Sequence, residues 1–461
     1  MDMVNQIRAK YNTVIENLLK KYSEELFRIA TSSTMTEIEE FVTHNIGSLT
    51  KELVQQAISR NNEELRASKK IRKEQGLVLE RRDDPREILT RFGAVKYKRD
   101  YYQKHDSGYT YPIDKQLDIA SYERLTPDVV KTLLEKSKDY SYAKASKEAT
   151  DGIVSKQTVM NAIRNTTIEN KYDERPKKID VLHIDADEAH VTMKNGVKRM
   201  IPLICSYEGV DKSNKRHACI NLKKYSQYGL KGDEIWEKFI KKLGKDYDLS
   251  STRVYIHGDG AKWIRTGLEW FNDARFVLDQ YHKNKYIKIF GTNMEKTDAT
   301  KFEREIQTAL SSGEIDNLGA IQGEAIDKYP ECQETITTAI NYLFNNYDGI
   351  KIRLYDEEAN NGGCTEPHVS HILASRLSTR PMAWSKETLV NFVKILTTDN
   401  LQIVPNSMTL VNEVISNKRK KNKIRYRFTA GLANPDESVS LDFLQKNSGT
   451  TGMLKHILCD C

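Results

Sequence analysis

Apolar residues return every three or four positions through the first part of the chain, with Ile15, Leu18, Leu19, Tyr22, Leu26 and Ile29 on one stripe. The pattern runs out in the charged stretch Lys69-Lys70-Ile71-Arg72-Lys73-Glu74. A period near 3.6 predicts a helical N-terminal region over residues 1–82. From Ile88 to Tyr102 apolar and basic residues alternate around Gly93, which predicts a β-hairpin with a basic face. Helical spacing returns between Thr126 and Ile168, and Pro176-Lys177-Lys178 reads as a boundary.

Beyond that boundary, β-type runs occupy 179–193, 199–207, 216–224, 252–257 and 274–278, with a helix from about Asp233 to Leu243 between the third and the fourth. Three strands followed by alternating helix and strand is the order of a ribonuclease H-like mixed sheet. Residues 283–345 are helical in pattern, with Phe302, Ile306, Leu310, Ile336, Ile340 and Leu343 as core candidates. The expected architecture is therefore α/β. A ribonuclease H-like mixed-sheet catalytic core (176–282 and 346–400) is interrupted by an all-helical insertion (283–345). A mainly helical N-terminal region and a β-hairpin plus helix-turn-helix region (83–175) precede it, and a basic C-terminal region (401–461) follows.

The helix-turn-helix expectation rests on Ser141 to Ser146 and Gly152 to Val159. Gly152 sits in the turn, and Ser155 caps a second helix whose first turn offers Lys156, Gln157 and Thr158 to a DNA groove. Composition is permissive: 72 Lys plus Arg against 65 Asp plus Glu give a formal charge of +7, which favours acidic partners. The six cysteines show no paired CxxC spacing, so no zinc ribbon is expected and a reduced cytoplasm fits. No apolar signal core and no run of roughly 18 apolar residues occurs, so neither secretion nor a membrane partner is expected.

Chemistry is concentrated in two acidic motifs that close apolar runs, Ile184-Asp185-Ala186-Asp187-Glu188 and Ile256-His257-Gly258-Asp259-Gly260, with Glu366 far downstream. Phosphodiester cleavage at two divalent cations, about 3.5–4 Å apart, needs hard carboxylate ligands on rigid elements. A strand through Val181 to Ile184 delivers Asp185 and Asp187 to one face, since side chains alternate with period two, and parity does not choose between them. Asp259 follows a second strand, where Gly258 and Gly260 permit close backbone approach. An Asp between glycines also builds a plain turn.

Four segments occur in order: Ala186-Asp187-Glu188-Ala189-His190-Val191, then His257 to Ile264, then Val277-Leu278-Asp279-Gln280-Tyr281-His282, then Gly363-Cys364-Thr365-Glu366-Pro367-His368-Val369-Ser370-His371. Together with the stretch Arg376 to Ser385, this set resembles the ISLre-type insertion-sequence transposases, and the likeness covers most of the chain. The resemblance implies a DDE transposase, related to Mutator-type enzymes, with catalytic and metal-holding residues Asp187, Asp259 and Glu366. Asp185, Asp279 and His282 would lie beside them. It further implies two Mg²⁺ ions, replaceable by Mn²⁺, double-stranded DNA at transposon ends and target, a homo-oligomer, and a bacterial, nucleoid-associated location. Water would be activated to free a 3′-hydroxyl that then attacks target DNA. The chain departs from the family pattern at Ala189 and Pro367, neither of which is a ligand position.

Further DNA contacts are expected from Arg376, Arg380 and Trp384, as phosphate holders and a stacking platform. The densest basic run is Lys418-Arg419-Lys420-Lys421-Asn422-Lys423-Ile424-Arg425-Tyr426-Arg427, where seven of ten residues are cationic. A structure-selective nuclease on the same core, or a domesticated DNA-binding protein without activity, would carry many of the same features.

Overall fold

The structure is a computed structural model, and it describes residues 2–31, 33–104, 108–169, 176–213, 217–379 and 382–404. The chain is a mixed α/β protein that divides into two compact units, one running to Glu169 and joined by the strand near Gln402, the other comprising most of 176–400.

In the first unit, α1 (Asp2–Ala30) and α2 (Met35–Ala67) pack on each other. Thr34 starts α2 through a capping box with Glu37, which satisfies two otherwise orphaned N–H groups. A short helix ends at Glu74, and Gly76 turns the chain at φ +65 into β1 (Leu77–Thr90). The helical stretch therefore stops short of residue 82. β1 pairs antiparallel with β2 (Gly93–Lys104), which also pairs with β3 (Gly108–Thr110). Ile58 of α2 joins Ile88, Tyr97, Ile113 and Ile119 in the core beneath this sheet. Arg66 of α2 grips the fully buried Asp100 of β2 with two hydrogen bonds of 2.7 Å. Three helices follow: α3 (Pro127–Asp139), α4 (Tyr142–Thr150) and α5 (Lys156–Asn165). Strand Thr167–Glu169 pairs with Gln402–Val404.

The second unit is built on five strands: β4 (Val181–Thr192), β5 (Lys198–Tyr207), β6 (Lys223–Ser226), β7 (Arg253–Gly258) and β8 (Asp273–Leu278). Their order across the sheet is β6-β5-β4-β7-β8, with β4, β5 and β6 antiparallel in sequence and β4, β7 and β8 parallel. The parallel strands are largely buried on both faces, with Leu182, Ile184, Val254 and Ile256 in the apolar core and His183, Asp185, Asp187 and His257 among the buried polar residues. α6 (Asp233–Asp246) supplies the crossover from β6 to β7, burying Ile235, Trp236, Phe239 and Ile240. After α7 (Lys262–Arg265) and β8, the chain forms α8 (Gln280–Phe290), α9 (Lys296–Ser312), α10 (Asn317–Lys328), α11 (Gln333–Asn345) and α12 (Tyr347–Tyr355). The six core candidates read from the sequence in this region are all buried. A short helix α13 (Thr365–Val369) and α14 (Lys386–Leu396) complete the unit. Among the described residues no helix is long and apolar enough to cross a membrane.

Candidate active site

The register of β4 against β7 sets Val181 opposite Arg253 and Asp185 opposite His257. Two residues beyond that last pair, Asp187 and Asp259 come near enough that the charge of Asp259 raises the Asp187 carboxyl. Asp259 lies just beyond β7, as its motif suggested. Asp187 does not close its strand: β4 continues to Thr192, because the Asn195-Gly196 turn returns it into β5.

Asp187 is 8% exposed, and its Oδ1 accepts the Glu188 backbone N–H at 2.7 Å. Burial, and then the charge of Asp259, push its carboxyl up to about 7 against the opposing pull of that N–H and of His282. Asp259 is held rigidly: its Oδ1 accepts the Ala261 N–H at 2.8 Å, and its carbonyl accepts the Tyr342 hydroxyl at 2.6 Å. The flanking glycines serve the chain's own packing. A Cβ at Gly258 would lie 2.8 Å from the Ala186 carbonyl oxygen, and Gly260, at φ +87, leaves room for the Asn346 side chain. A buried carboxylate whose proton affinity is raised by burial and by a second acid beside it forms a site that a divalent cation would relieve. The donor set therefore fits a hard metal ion. Among the described residues no three His, Cys, Asp or Glu side chains form a metal-holding group; the side chain of Glu366 lies outside them.

Asp185 points to the same face as Asp187 but lies deeper, at 2% exposure. Its oxygens accept the Tyr207 hydroxyl at 3.0 Å and the Cys364 N–H at 3.1 Å, and His368 Nδ1 approaches to 2.9 Å. It therefore fastens the segment that carries Glu366 to the centre of the sheet. That segment lies on two stacked, buried histidines, with His183 Nδ1 and His257 Nε2 3.1 Å apart. Burial pushes His257 down to about 3 and lowers His183 as well. Only a glycine fits above them, since a Cβ at Gly362 would lie 2.5 Å from both ring nitrogens. Glu366 is the second residue of α13, which packs on β4 and continues into a π-turn at Ser370–Ala374.

Asp279 and His282 are brought to the same place. Asp279 caps α8 by accepting the His282 N–H at 2.8 Å, and its other oxygen meets His282 Nδ1 at 2.8 Å. Burial pulls His282 down, but the Asp279 hydrogen bond and the charges of Asp279, Asp259 and Asp187 outweigh it and hold the imidazole above its ordinary range. A further acid, to which the sequence assigns no role, joins them: Glu188 accepts the Trp263 indole N–H at 2.7 Å, and burial followed by the Asp259 charge raises its carboxyl. The adjacency Asp187-Glu188 was the available signal.

Two expected DNA contacts are corrected. Trp384 is 5% exposed, donates its indole N–H to the Leu377 carbonyl at 2.9 Å and stacks on Phe392. Arg376, equally buried, has its guanidinium 5.0 Å from the Phe392 ring and 5.7 Å from Trp384. Both are packing residues, because α14 folds back over them. Arg380 and the run Lys418, Arg419, Lys420, Lys421, Lys423, Arg425 and Arg427 lie outside the described residues. In the first unit, Asp151 (φ 52) and Gly152 (φ 77) turn α4 into α5, and Ser155 caps α5 by accepting the Thr158 N–H at 3.1 Å. Lys156 and Gln157 are exposed on that first turn, with Thr158 half-buried beside them.

A model of the uncharacterised protein family UPF0236 matches residues 28–403. A UPF0236 protein of Caldanaerobacter subterraneus subsp. tengcongensis is 37% identical over 359 residues, covering 76% of this chain and 75% of that protein. A second from the same organism is 36% identical over 331 residues, 70% of this chain and 69% of its own. The UPF0236 protein in the vanSb 3′ region of Streptococcus gallolyticus is 22% identical over 392 residues, 80% of this chain and 84% of that protein. Their names state no activity.

Proposed function

The chain belongs to the uncharacterised protein family UPF0236, and from its paired acids Asp187 and Asp259 we propose that it is a DDE transposase that cuts DNA at transposon ends and joins the freed ends to target DNA. The observation that carries this reading is Asp187 on β4 within reach of the charge of Asp259, just past the end of the neighbouring parallel strand β7, with the Glu366-bearing helix packed on β4. The strand order supports a ribonuclease H-like core: numbered within the sheet, 3-2-1-4-5, with the first three strands antiparallel and the last two parallel to the first. The name of the Caldanaerobacter relative joins eleven loci of one genome, as expected of a gene that copies itself.

Asp187, Asp259 and Glu366 would hold two Mg²⁺ ions. Bound there, the metal would make a water or a 3′-hydroxyl nucleophilic and neutralise the leaving oxygen. The chain's own residues prepare the rest. Asp279 fixes the His282 tautomer at Nδ1 and raises the proton affinity of the ring, so His282 Nε2, when protonated, is suited to donate to a scissile phosphate oxygen. Asp185, Tyr207 and the two histidines fix the height of the Glu366 segment above the sheet. The first turn of α5 is suited to a DNA groove through Lys156 and Gln157 in a helix-turn-helix. A homo-oligomer acting on paired ends, and residence at the nucleoid, belong to the same proposal.

Pre-cleaved oligonucleotides that carry the inverted repeats flanking the gene, incubated with supercoiled plasmid and Mg²⁺, test the reading. Joined products are expected, and Asp259→Asn should abolish them while end binding is kept. Hydrolysis without joining would reassign the chain to a nuclease. Loss of binding in the variant would make Asp259 a structural turn.

A further inference from the structure

Within the first unit, a cleft of about 1150 Å³ opens between the β1-β2-β3 sheet and the N-terminal end of α5. Its volume slightly exceeds the roughly 300–1,000 Å³ that takes one small ligand, so there is room for more than one such group. The lining is aromatic and basic. Tyr101 and Tyr109 stack at 5.2 Å between centroids, Tyr111 leans on Tyr101 at 4.7 Å, and the Arg81 guanidinium sits 4.9 Å from the Tyr101 ring. Five arginine or lysine side chains line it against three carboxylates, and Lys115 and Arg124 are exposed at its rim.

Tyr122, also in the lining, is 98% exposed and holds a φ of +65, a conformation that costs a bulky side chain energy. The surrounding hydrogen bonds enforce it. Arg86 donates to the carbonyls of Ala120 at 2.9 Å and Glu123 at 2.8 Å while its other nitrogen is anchored on Asp114 at 2.7 Å. The Glu123 carboxylate closes the turn on the Ala120 N–H at 2.9 Å. The unit thus fixes the backbone that carries a solvent-exposed tyrosine ring at the mouth of a basic cleft.

We propose that this cleft binds an unpaired stretch of a DNA strand, with the Tyr109 and Tyr122 rings as stacking platforms for bases and Lys115 and Arg124 on the phosphates. It rests on the transposase reading for why the chain meets DNA with unpaired ends. Duplex recognition inserts a convex element into a groove about 12 Å wide, whereas this surface is concave. Ring faces held open to solvent are available to bases that are not paired and stacked within a duplex. The capped first turn of α5, with Ser155 and Thr158 at the cleft wall, adds the positive end of a helix to the same attraction for phosphate.

The test uses the full chain in EDTA, so that no chemistry is needed and failure of the transposase reading, seen as absent strand joining, stays separate. Fluorescence anisotropy is measured with a short labelled oligothymidylate and with a blunt duplex of mixed sequence. The doubly substituted Tyr109→Ala/Tyr122→Ala chain should bind the oligothymidylate roughly tenfold or more weakly, with duplex affinity unchanged. Tyr109→Phe/Tyr122→Phe, which keeps both rings, should bind as the unaltered protein does. No oligothymidylate binding by the unaltered chain, equal binding by the alanine variant, or an equal loss for the duplex would overturn the proposal.

Discussion

Asp187→Asn should make the metal-free protein more stable at neutral and alkaline pH. The Asp187 carboxyl stands at about 7 in the folded chain against an ordinary 3.8, because it is buried and faces Asp259. A raised folded value means that the carboxyl favours folding only while protonated; that favour is complete below about pH 4 and is lost as pH climbs through 7. The shift of about 3 units, at 1.36 kcal/mol each, amounts to about 4 kcal/mol at pH 8, and to less than about 2 kcal/mol at pH 5. With only 8% exposure, solvent does little to screen it. Asparagine retains the Oδ1 that accepts the Glu188 N–H. Urea unfolding of the two proteins in EDTA at pH 5 and pH 8 reads the difference directly. Adding Mg²⁺ at pH 8 should stabilise the original protein and leave the variant almost unmoved, since a ligand stabilises only the state that binds it. A variant no more stable than the original at pH 8 would refute the claim that burial and the charge of Asp259 raise the Asp187 carboxyl.

Trp384→Ala should cost about 3–5 kcal/mol in the same unfolding experiment, the usual range for emptying a large core site, and a variant as stable as the original would return Trp384 to the surface. Gly362→Ala has no backbone strain to overcome, at φ −132, so its Cβ acts only by pressing on His183 and His257; strand joining should fall steeply while oligonucleotide binding holds, and unchanged joining would show that the segment has slack. His257, pushed down to about 3 by burial, favours the folded state above its unfolded value near 6.5, and that favour is lost as pH falls toward 3. Thermal melting should therefore show stability declining from pH 6.5 to pH 4 and the decline flattened in His257→Gln; parallel pH profiles would count against a neutral buried ring.

The long parallel strands were legible because covered strands must be apolar, and β7 and β8 begin and end within a residue of where the pattern put them. The third strand was not. Its expected span of 216–224 is replaced by Lys223–Ser226, with Ala218–Cys219 pairing instead to Val210–Asp211. An edge strand reading Lys-Lys-Tyr-Ser has no alternation to betray it. Leu77, Val78 and Leu79 extended the helical spacing, and only the positive φ at Gly76 turns them into β1. In the site, Asp187 and Asp259 stood out because short motifs on neighbouring parallel strands fall together once the sheet forms. The fastening of Asp185 could not be read, since its partners Tyr207 and Cys364 come from 22 and 179 residues away. Spacing likewise gave no means of separating a guanidinium stacked on Phe392 from one facing phosphate.

The most direct test of a shared metal site is anomalous scattering from crystals of the full chain soaked in Mn²⁺. Density bound by the carboxylates of Asp187 and Asp259, with Glu366 reaching the same ions, is the expected result. Fully occupied manganese elsewhere, and none between those two strands, would contradict it.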